Sequence, residues 1–556
     1  MNKRILCSIL FLTGIMVLKT TACTNLIVGK DASIDGSVMS TYCFDNYGLN
    51  FGLPHYPAAT HAPGEMREVK NIYSRIPHGT IPEAKETYNV IGNMNEWQVT
   101  ITETTFNVDK SLIDSTANMD YPTLIFCGLQ RAKTAREAIR VMTSLAEKHG
   151  FLAHGEAFTI CDPNEAWIME MVSCGRDSHT AVWVAVRIPD NAISGHANQS
   201  RIRTFDMKDK KNVMYSKNVI QFARQTGRFS GKDSEFSFRD AYQPVKFSGR
   251  RMCDARVWSF FNRFSKEAVK WEPWALGIDP DAEEMPLWIV PDRKVSVQDL
   301  QEAMRDHYEG TAMDPYQDVL QGSWPSPYRP SAHTFKVDGK TYFTERTIAT
   351  PQSTFCFVSQ MRSWLPRQIG GVLWWGNDDS GMVPQTPVYC CATRRPPCYI
   401  HHYDSDIEFS MDNAFWVQNW VSNMVYPRYS MLFPDLKQVR DSLNNSYFAA
   451  QPQIEAQAME LLKKDPSQAV EFLTAYTTDK AQQMMESWRR LAFYLIVKYN
   501  DMSIKPEKDG KYLRTNYGRV KKLKSVAPSK KLQEEFVRQT GDKYRYRSYK
   551  KTKDKK

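Results

Sequence analysis

A short apolar leader ends on a cysteine that opens straight into strand-forming sequence, and this layout limits the folds open to the chain. Met1–Arg4 is positively charged, Ile5–Leu18 is apolar apart from small residues, and Lys19-Thr20-Thr21-Ala22 leads to Cys23. That is the order of a secretory signal peptide, with an apolar stretch too short for a comfortable membrane span. Downstream, nothing approaches the roughly 18 continuous apolar residues of a membrane helix. The expected mature chain therefore begins at Cys23, has no integral membrane span and is secreted or periplasmic. The net charge of +10 sits largely in Gly541–Lys556, which has eight basic and two acidic residues. Outside that tail the chain is only mildly basic, which argues against a nucleic-acid partner.

From Cys23 the sequence reads CTNLIVGKDASIDGSVMSTYCFD. Thr24–Val28 is read as a strand, Asp35-Gly36-Ser37 as a turn and Val38–Tyr42 as the return strand. Tyr88–Ile91 with Gln98–Thr104 is expected as a second strand pair. Ala157–Cys161 with Glu165–Met171 is a third, joined by the turn Asp162-Pro163-Asn164, and Ala181–Arg187 is a further strand. Between these, Pro122–His149 has helical apolar spacing and stops at Gly150. Short β-like runs recur at Gly371–Trp375 and Pro387–Thr393. From about Asp412 to Tyr499 the pattern turns helical, including Gln453–Lys464 and Ala481–Tyr499. Hairpins mixed with helices favour an α+β layered fold over a parallel sheet. The segment from Asp501 is rich in lysine and poor in apolar residues, and is expected to be a loosely held tail.

Nine cysteines remain once Cys7 leaves with the leader and Cys23 becomes terminal. An odd number in so long a chain does not suggest a disulfide scaffold, and buried free thiols are expected. His154, His196 and His307 lack metal-ligand spacing, so neither metal nor cofactor is expected. A cysteine exposed by processing carries a nucleophile and a base in one residue: its thiol attacks and its α-amine, with an ordinary pKa of about 7.7–8.0, takes the proton. Thr20-Thr21-Ala22-Cys23 also admits a lipobox reading in which Cys23 is acylated and anchors the protein to a membrane. Thr20, where a lipobox prefers a branched apolar residue, weakens that reading, as does the absence of a tether before the first strand.

The segments CTNLIVGKDASIDGSVM (23–39), GNMNEWQVTITETTF (92–106), LQRAKTAREAI (129–139), CDPNEAWIMEM (161–171) and SGHANQSRI (194–202) occur in one order. Together they resemble the dipeptidases of the N-terminal-nucleophile cysteine hydrolases, relatives of choloylglycine hydrolase and penicillin V acylase. The similarity to the secreted Bacteroidetes-type members continues through MPLWIVPDRKVSVQDL, MRDHYEGT and GGVLWWG. The resemblance implies a four-layer αββα sandwich, with a catalytic region over 23–500 and a tail over 501–556. Within that region it implies a core mainly over 23–260, elaborations over 261–410 and helices over 411–500.

By position it implies that Cys23 is the nucleophile, that Asp45 contacts the nucleophile region, and that Asn198 donates to the oxyanion. Arg256 corresponds to a later active-site arginine. Thr105 stands where relatives carry a second oxyanion-side amide, so its hydroxyl would serve. The arginine common three residues before Asp45 is replaced by Tyr42. The implied reaction is hydrolysis of dipeptides through a thioester, and Asp45 or Glu103 would receive the substrate's free amine. Each residue also has a structural reading: Asp45 as a turn carboxylate, Asn198 as a backbone satisfier, Asn95-Glu96 as a hairpin closure, Asp162 and Glu165 as turn and strand-edge residues. Two other functions stay open: an amidase of bile-salt or penicillin-type amides on the same fold, and a lipid-anchored binding protein. A homo-oligomer is compatible with all of them.

Overall fold

Two antiparallel sheets, each faced by helices, position the first residue of the expected mature chain. The computed structural model describes residues 23–46, 51–70, 76–329, 334–401, 406–522 and 527–547, so the leader at 1–22 lies outside the described residues. The first sheet has seven strands in the order Trp288–Ile289, Ile193–His196, Asn25–Val28, Val38–Asp45, Ser353–Met361, Val372–Asn377, Thr386–Tyr389. We label its principal strands β1 (Asn25–Val28) and β2 (Val38–Asp45). The second sheet has eight strands, and its centre is β3 (Thr100–Phe106), β4 (Gly155–Cys161) and β5 (Ala166–Ser173).

The turn between β1 and β2 follows the sequence closely. Asp35 Oδ1 accepts from the Ser37 amide at 3.0 Å and from its hydroxyl at 2.6 Å, and Gly36 takes φ +86°, a conformation glycine adopts without penalty. The second strand pair differs from expectation. Val90–Ile91 pairs with Met94–Asn95 around Gly92 (φ +58°), whereas β3 takes β4 as its full-length partner and touches Met94 only through Thr100. The expected helix over 122–149 is two helices, α1 (Tyr121–Arg131) and α2 (Ala135–His149). Thr134 breaks them apart: its side chain caps the Glu137 amide, and the Glu137 carboxylate reaches back to the Lys133 amide.

Strand alternation separates two apolar layers. Phe158, Ile160, Trp167 and Met169 pack with Leu124, Ile139 and Met142 of the two helices. Ala157, Cys161, Ile168 and Val172 share the other cluster with Leu26, Cys43 and Cys356 of the first sheet. β1 and β2 lie against β3 and β4, and the interface is stitched by His196. Its ring nitrogens meet Thr104 Oγ1 at 2.7 Å and Thr159 Oγ1 at 2.8 Å.

The outer face of the first sheet is covered by helices from late in the chain: Ala414–Val425, Tyr429–Lys464 and Pro466–Tyr499. The last two are divided at Asp465-Pro466, a side-chain N-cap followed by proline in the first turn. Three strands of this sheet come from 353–389, within the segment read as elaboration. The segment beyond 501 has secondary structure of its own, although its helix buries no residue. It carries a short hairpin and the helix Lys530–Thr540, whose Ser529 amide bonds Ser323 O at 2.9 Å. The described cysteines are all free thiols. Among the described residues no helix is long and apolar enough to cross a membrane.

Candidate active site

Cys23 sits immediately before β1, fully buried, with its neighbour Thr24 bridged to Cys43 of β2 by two backbone hydrogen bonds. Sequence-distant groups converge on it from two sides.

On one side is Arg256, at the start of the helix α3 (Ala255–Phe264). A π-helical turn over Gly249–Asp254 precedes α3 and aims it. A Cβ at Gly249 would fall 2.2 Å from Gln199 Oε1, so a larger residue here would have to push the end of the Gln199 side chain aside. The buried guanidinium uses all five donors. Nη1 donates to Cys23 O at 2.7 Å and Thr24 Oγ1 at 2.8 Å, Nη2 to Ala197 O at 2.9 Å and Asn198 Oδ1 at 3.0 Å, and Nε to Met252 O at 2.8 Å. Asn198 is left-handed (φ +61°) and its Nδ2 donates to Thr105 O at 2.7 Å. The segment that carries it is held by Glu170 of β5, which accepts from the Arg201 and Ile202 amides at 2.5 and 3.1 Å and from Ser200 Oγ at 2.5 Å.

Asp45, at the end of β2, lies on the same side. Its carboxylate accepts from Arg346 Nη2 at 2.5 Å and from Ser353 Oγ at 2.5 Å. Arg346 is a buried guanidinium, and Tyr42, which stands in place of the expected arginine, instead turns its hydroxyl to Glu103. No local signal in the sequence pointed to Arg346, which lies 301 residues from its partner.

On the other side are carboxyls. Glu103 Oε1 is 3.6 Å from Cys23 Sγ and accepts from Tyr42 Oη at 2.5 Å. Glu156 of β4 hydrogen-bonds Glu103 through their carboxyl groups and accepts from Thr105 Oγ1 at 2.7 Å. The Thr105 hydroxyl, expected to face an oxyanion, thus donates to Glu156. A glutamate inside an apolar strand such as GEAFTIC is itself a signal, because such residues are seldom fully buried.

These surroundings set the electrostatics. Burial first, and then the charges of Glu103 and Asp45, push the Cys23 thiol well above its ordinary range; the Asp45 backbone amide acts in the opposite direction. Burial also raises Glu103 and, further, Glu156, where the neighbouring Glu103 charge adds to the effect. The thiol is therefore neutral at rest, and attack requires a base that takes its proton as the bond forms. His196 does not supply that base: burial lowers its pKa to about 3, and both nitrogens are engaged between the sheets.

Thr105, Asn198, Arg256 and Arg346, with Arg228 and Lys246, line a cavity of about 560 Å³, within the size range of small-molecule sites. Asp162 and Glu165 lie elsewhere, as the turn reading had it. Asp162 accepts from the Asn164, Glu165 and Ala135 amides, and Glu165 pairs with Arg136 and Arg187. Asn95 ties its turn to the end of α1, donating to Leu129 O and Ala132 O at 2.7 Å each.

Comparison with known proteins gives this arrangement a family. Residues 49–442 match the model of peptidase family C69. A probable dipeptidase of Latilactobacillus sakei is 24% identical over 513 residues, covering 87% of this chain and 97% of that protein. A probable dipeptidase of Salmonella dublin is 27% identical over 377 residues, covering 64% of this chain and 77% of its own length. A dipeptidase of Bifidobacterium longum is 25% identical over 442 residues, covering 72% and 76%. With the matched segment spanning most of both sheets and α3, the chain belongs to peptidase family C69.

Proposed function

We propose that this peptidase hydrolyses dipeptides with Cys23 as an N-terminal nucleophile. The observation that carries the reading is the convergence on Cys23 of Glu103 at its thiol and Arg256 at its carbonyl, with Asp45 near by and with Arg256 and Asn198 lining a cavity of about 560 Å³. The dipeptidase names of relatives spanning most of the chain support the substrate class. We further propose that residues 1–22 are a leader removed on export, that the layers form the αββα sandwich of N-terminal-nucleophile hydrolases, and that residues 23–500 act as one catalytic unit.

In this mechanism the freed α-amine of Cys23 takes the thiol proton as Sγ attacks the peptide carbonyl. Arg256 holds the Cys23 carbonyl and so fixes the direction of Sγ. Its bond to Asn198 Oδ1 sets which end of that amide is the donor. The Asn198 amide then stabilises the oxyanion, a contribution of about 2.7–4 kcal/mol for a well-placed donor. The amine returns the proton to the leaving nitrogen, the C–N bond breaks, and the second amino acid departs. Water, deprotonated by the same amine, attacks the thioester through a second oxyanion, releasing the first amino acid and the thiol.

The test is the N-terminal sequence and intact mass of the mature protein, together with turnover of a dipeptide panel by wild type and Cys23→Ser. A free Cys23, with turnover that drops at least about 1,000-fold in the variant, is expected. Equal turnover by both proteins, or an acylated Cys23, would overturn the mechanism.

A further inference from the structure

The carboxyl side of the site has features that the mechanism above does not use. Glu103 and Glu156 are both fully buried. Oε2 of each receives no hydrogen bond from a hydroxyl, amide or cation among the described residues. The groups acting most strongly on Glu103 are Tyr42, Glu156, Cys23 and Asp45, none of them a cation. Burying a carboxylate without a cation costs several kcal/mol. The same protein spends a buried arginine and a serine on Asp45, a short distance away. One proton shared within the Glu103–Glu156 pair leaves one negative charge, which takes hydrogen bonds from Tyr42 and Cys23 but is paired with no side-chain cation among the described residues.

Geometry indicates where a partner would come from. In an amino-acid residue the amino nitrogen is about 2.5 Å from the carbonyl carbon, from standard bond lengths and angles. At attack that carbon lies about 3–3.5 Å from the nucleophile. The amino nitrogen of the residue under attack is thus held within a few ångströms of Sγ, on the scale of the 3.6 Å that separates Sγ from Glu103 Oε1. A free α-ammonium there would supply the missing cation. An acylated or peptide-extended nitrogen would carry no charge, and its substituent would meet the carboxyl pair.

We propose that Glu103, backed by Glu156 and oriented by the Tyr42 hydroxyl, receives the free α-ammonium of the residue whose carbonyl Cys23 attacks. Cleavage is thereby confined to the first peptide bond of an unblocked chain. This rests on Cys23 acting as the nucleophile on dipeptides, and of the two carboxylates suggested by sequence it selects Glu103, because Asp45 is already paired with Arg346.

The experiment measures kcat and KM for alanyl-alanine, its des-amino analogue propionyl-alanine and N-acetyl-alanyl-alanine, using wild type, Glu103→Gln and Tyr42→Phe. Wild type is expected to prefer the free dipeptide by about 100-fold or more in kcat/KM, as sites built to bind a polar group do. Glu103→Gln should abolish most of that preference through a rise in KM for the free dipeptide, leaving propionyl-alanine within a few-fold. Tyr42→Phe keeps both carboxyls and should narrow the preference by about 5–10-fold, which provides a reading even if Glu103→Gln folds poorly. Equal loss for the free and des-amino substrates would overturn the proposal and assign Glu103 to the α-amine of Cys23 itself. Wild-type turnover without amine preference would overturn it while leaving the dipeptidase reading intact. Wild type that turns over no dipeptide would remove that reading as well.

Discussion

The two sides of Cys23 treat charge in opposite ways. On the arginine side Asp45 is matched by Arg346 and Ser353, and the Arg256 guanidinium has a neutral acceptor for each of its five donors. On the carboxyl side Glu103 and Glu156 face one another, and their donors among the described residues are the Tyr42 and Thr105 hydroxyls and the Cys23 thiol, none of them a cation. Matched charge in a low-dielectric interior fixes geometry, because moving either partner exposes the other to a large desolvation cost. Unmatched charge weakens the fold and is tolerated where a ligand completes it. On the proposal made above, the arginine side is the scaffold of the site and the carboxyl side its receptor.

The comparison is most easily broken at Arg346. Arg346→Leu leaves Asp45 buried without its cation and is expected to cost about 3–5 kcal/mol, measured by denaturant unfolding. Adding Asp45→Leu should recover part of that loss, since replacing both members of a buried pair is milder than orphaning one. No recovery would mean that Arg346 acts through packing.

A pH measurement sharpens the contrast at the sheet interface. The folded pKa of His196 is held at about 3, below its ordinary 6.5, by burial. The unfolded chain thus binds the extra proton first, and stability falls as pH drops from 6.5 toward 3. His196→Gln should remove up to about 3 kcal/mol of the loss between pH 6.5 and 4, from 1.36 kcal/mol per pKa unit. An unchanged slope would show that other groups carry the acid sensitivity.

On the carboxyl side the expected sign reverses. Glu156→Gln keeps an acceptor for Thr105 and replaces the shared proton with a permanent amide donor to Glu103, so stability should rise by about 1 kcal/mol at neutral pH. A loss comparable to that of Arg346→Leu would erase the distinction between the two sides. The smallest effect is expected far from both. Truncation after Lys522 removes the helix Lys530–Thr540 and its contact with Ser323, and should shift stability by less than about 1 kcal/mol with kcat/KM unchanged.

Much of the scaffold was legible because its signals are local. The β1–β2 turn follows from Asp35-Gly36, and the β4–β5 hairpin from Asp162-Pro163-Asn164. The segments that carried the family resemblance include structural parts as well as site residues: Asn95 clamps the end of α1, and Glu170 holds the Asn198 segment. The break between α1 and α2 was missed because apolar spacing runs across Thr134, whose capping bonds alone mark the boundary. The pairing of β2 with Ser353–Met361 was hidden for a different reason. Strand partners about 300 residues apart leave no trace in local periodicity, and the Arg346–Asp45 bond is set by that pairing.

The long reach of these contacts gives the site a timetable. Arg256 lies 233 residues from the carbonyl it grips, and Ser353 lies 308 residues from Asp45. At about 5–20 residues per second, a ribosome that has just made Cys23 reaches Arg346 roughly 15–65 s later. Throughout that interval the cysteine exists without its neighbours, and closing loops of this length is slow in itself. A chain stalled or cut before residue 353 keeps its thiol and loses the geometry that directs it. Activity in this molecule is therefore a late event in the life of each chain, granted only to copies whose middle third has been made and folded back onto the start.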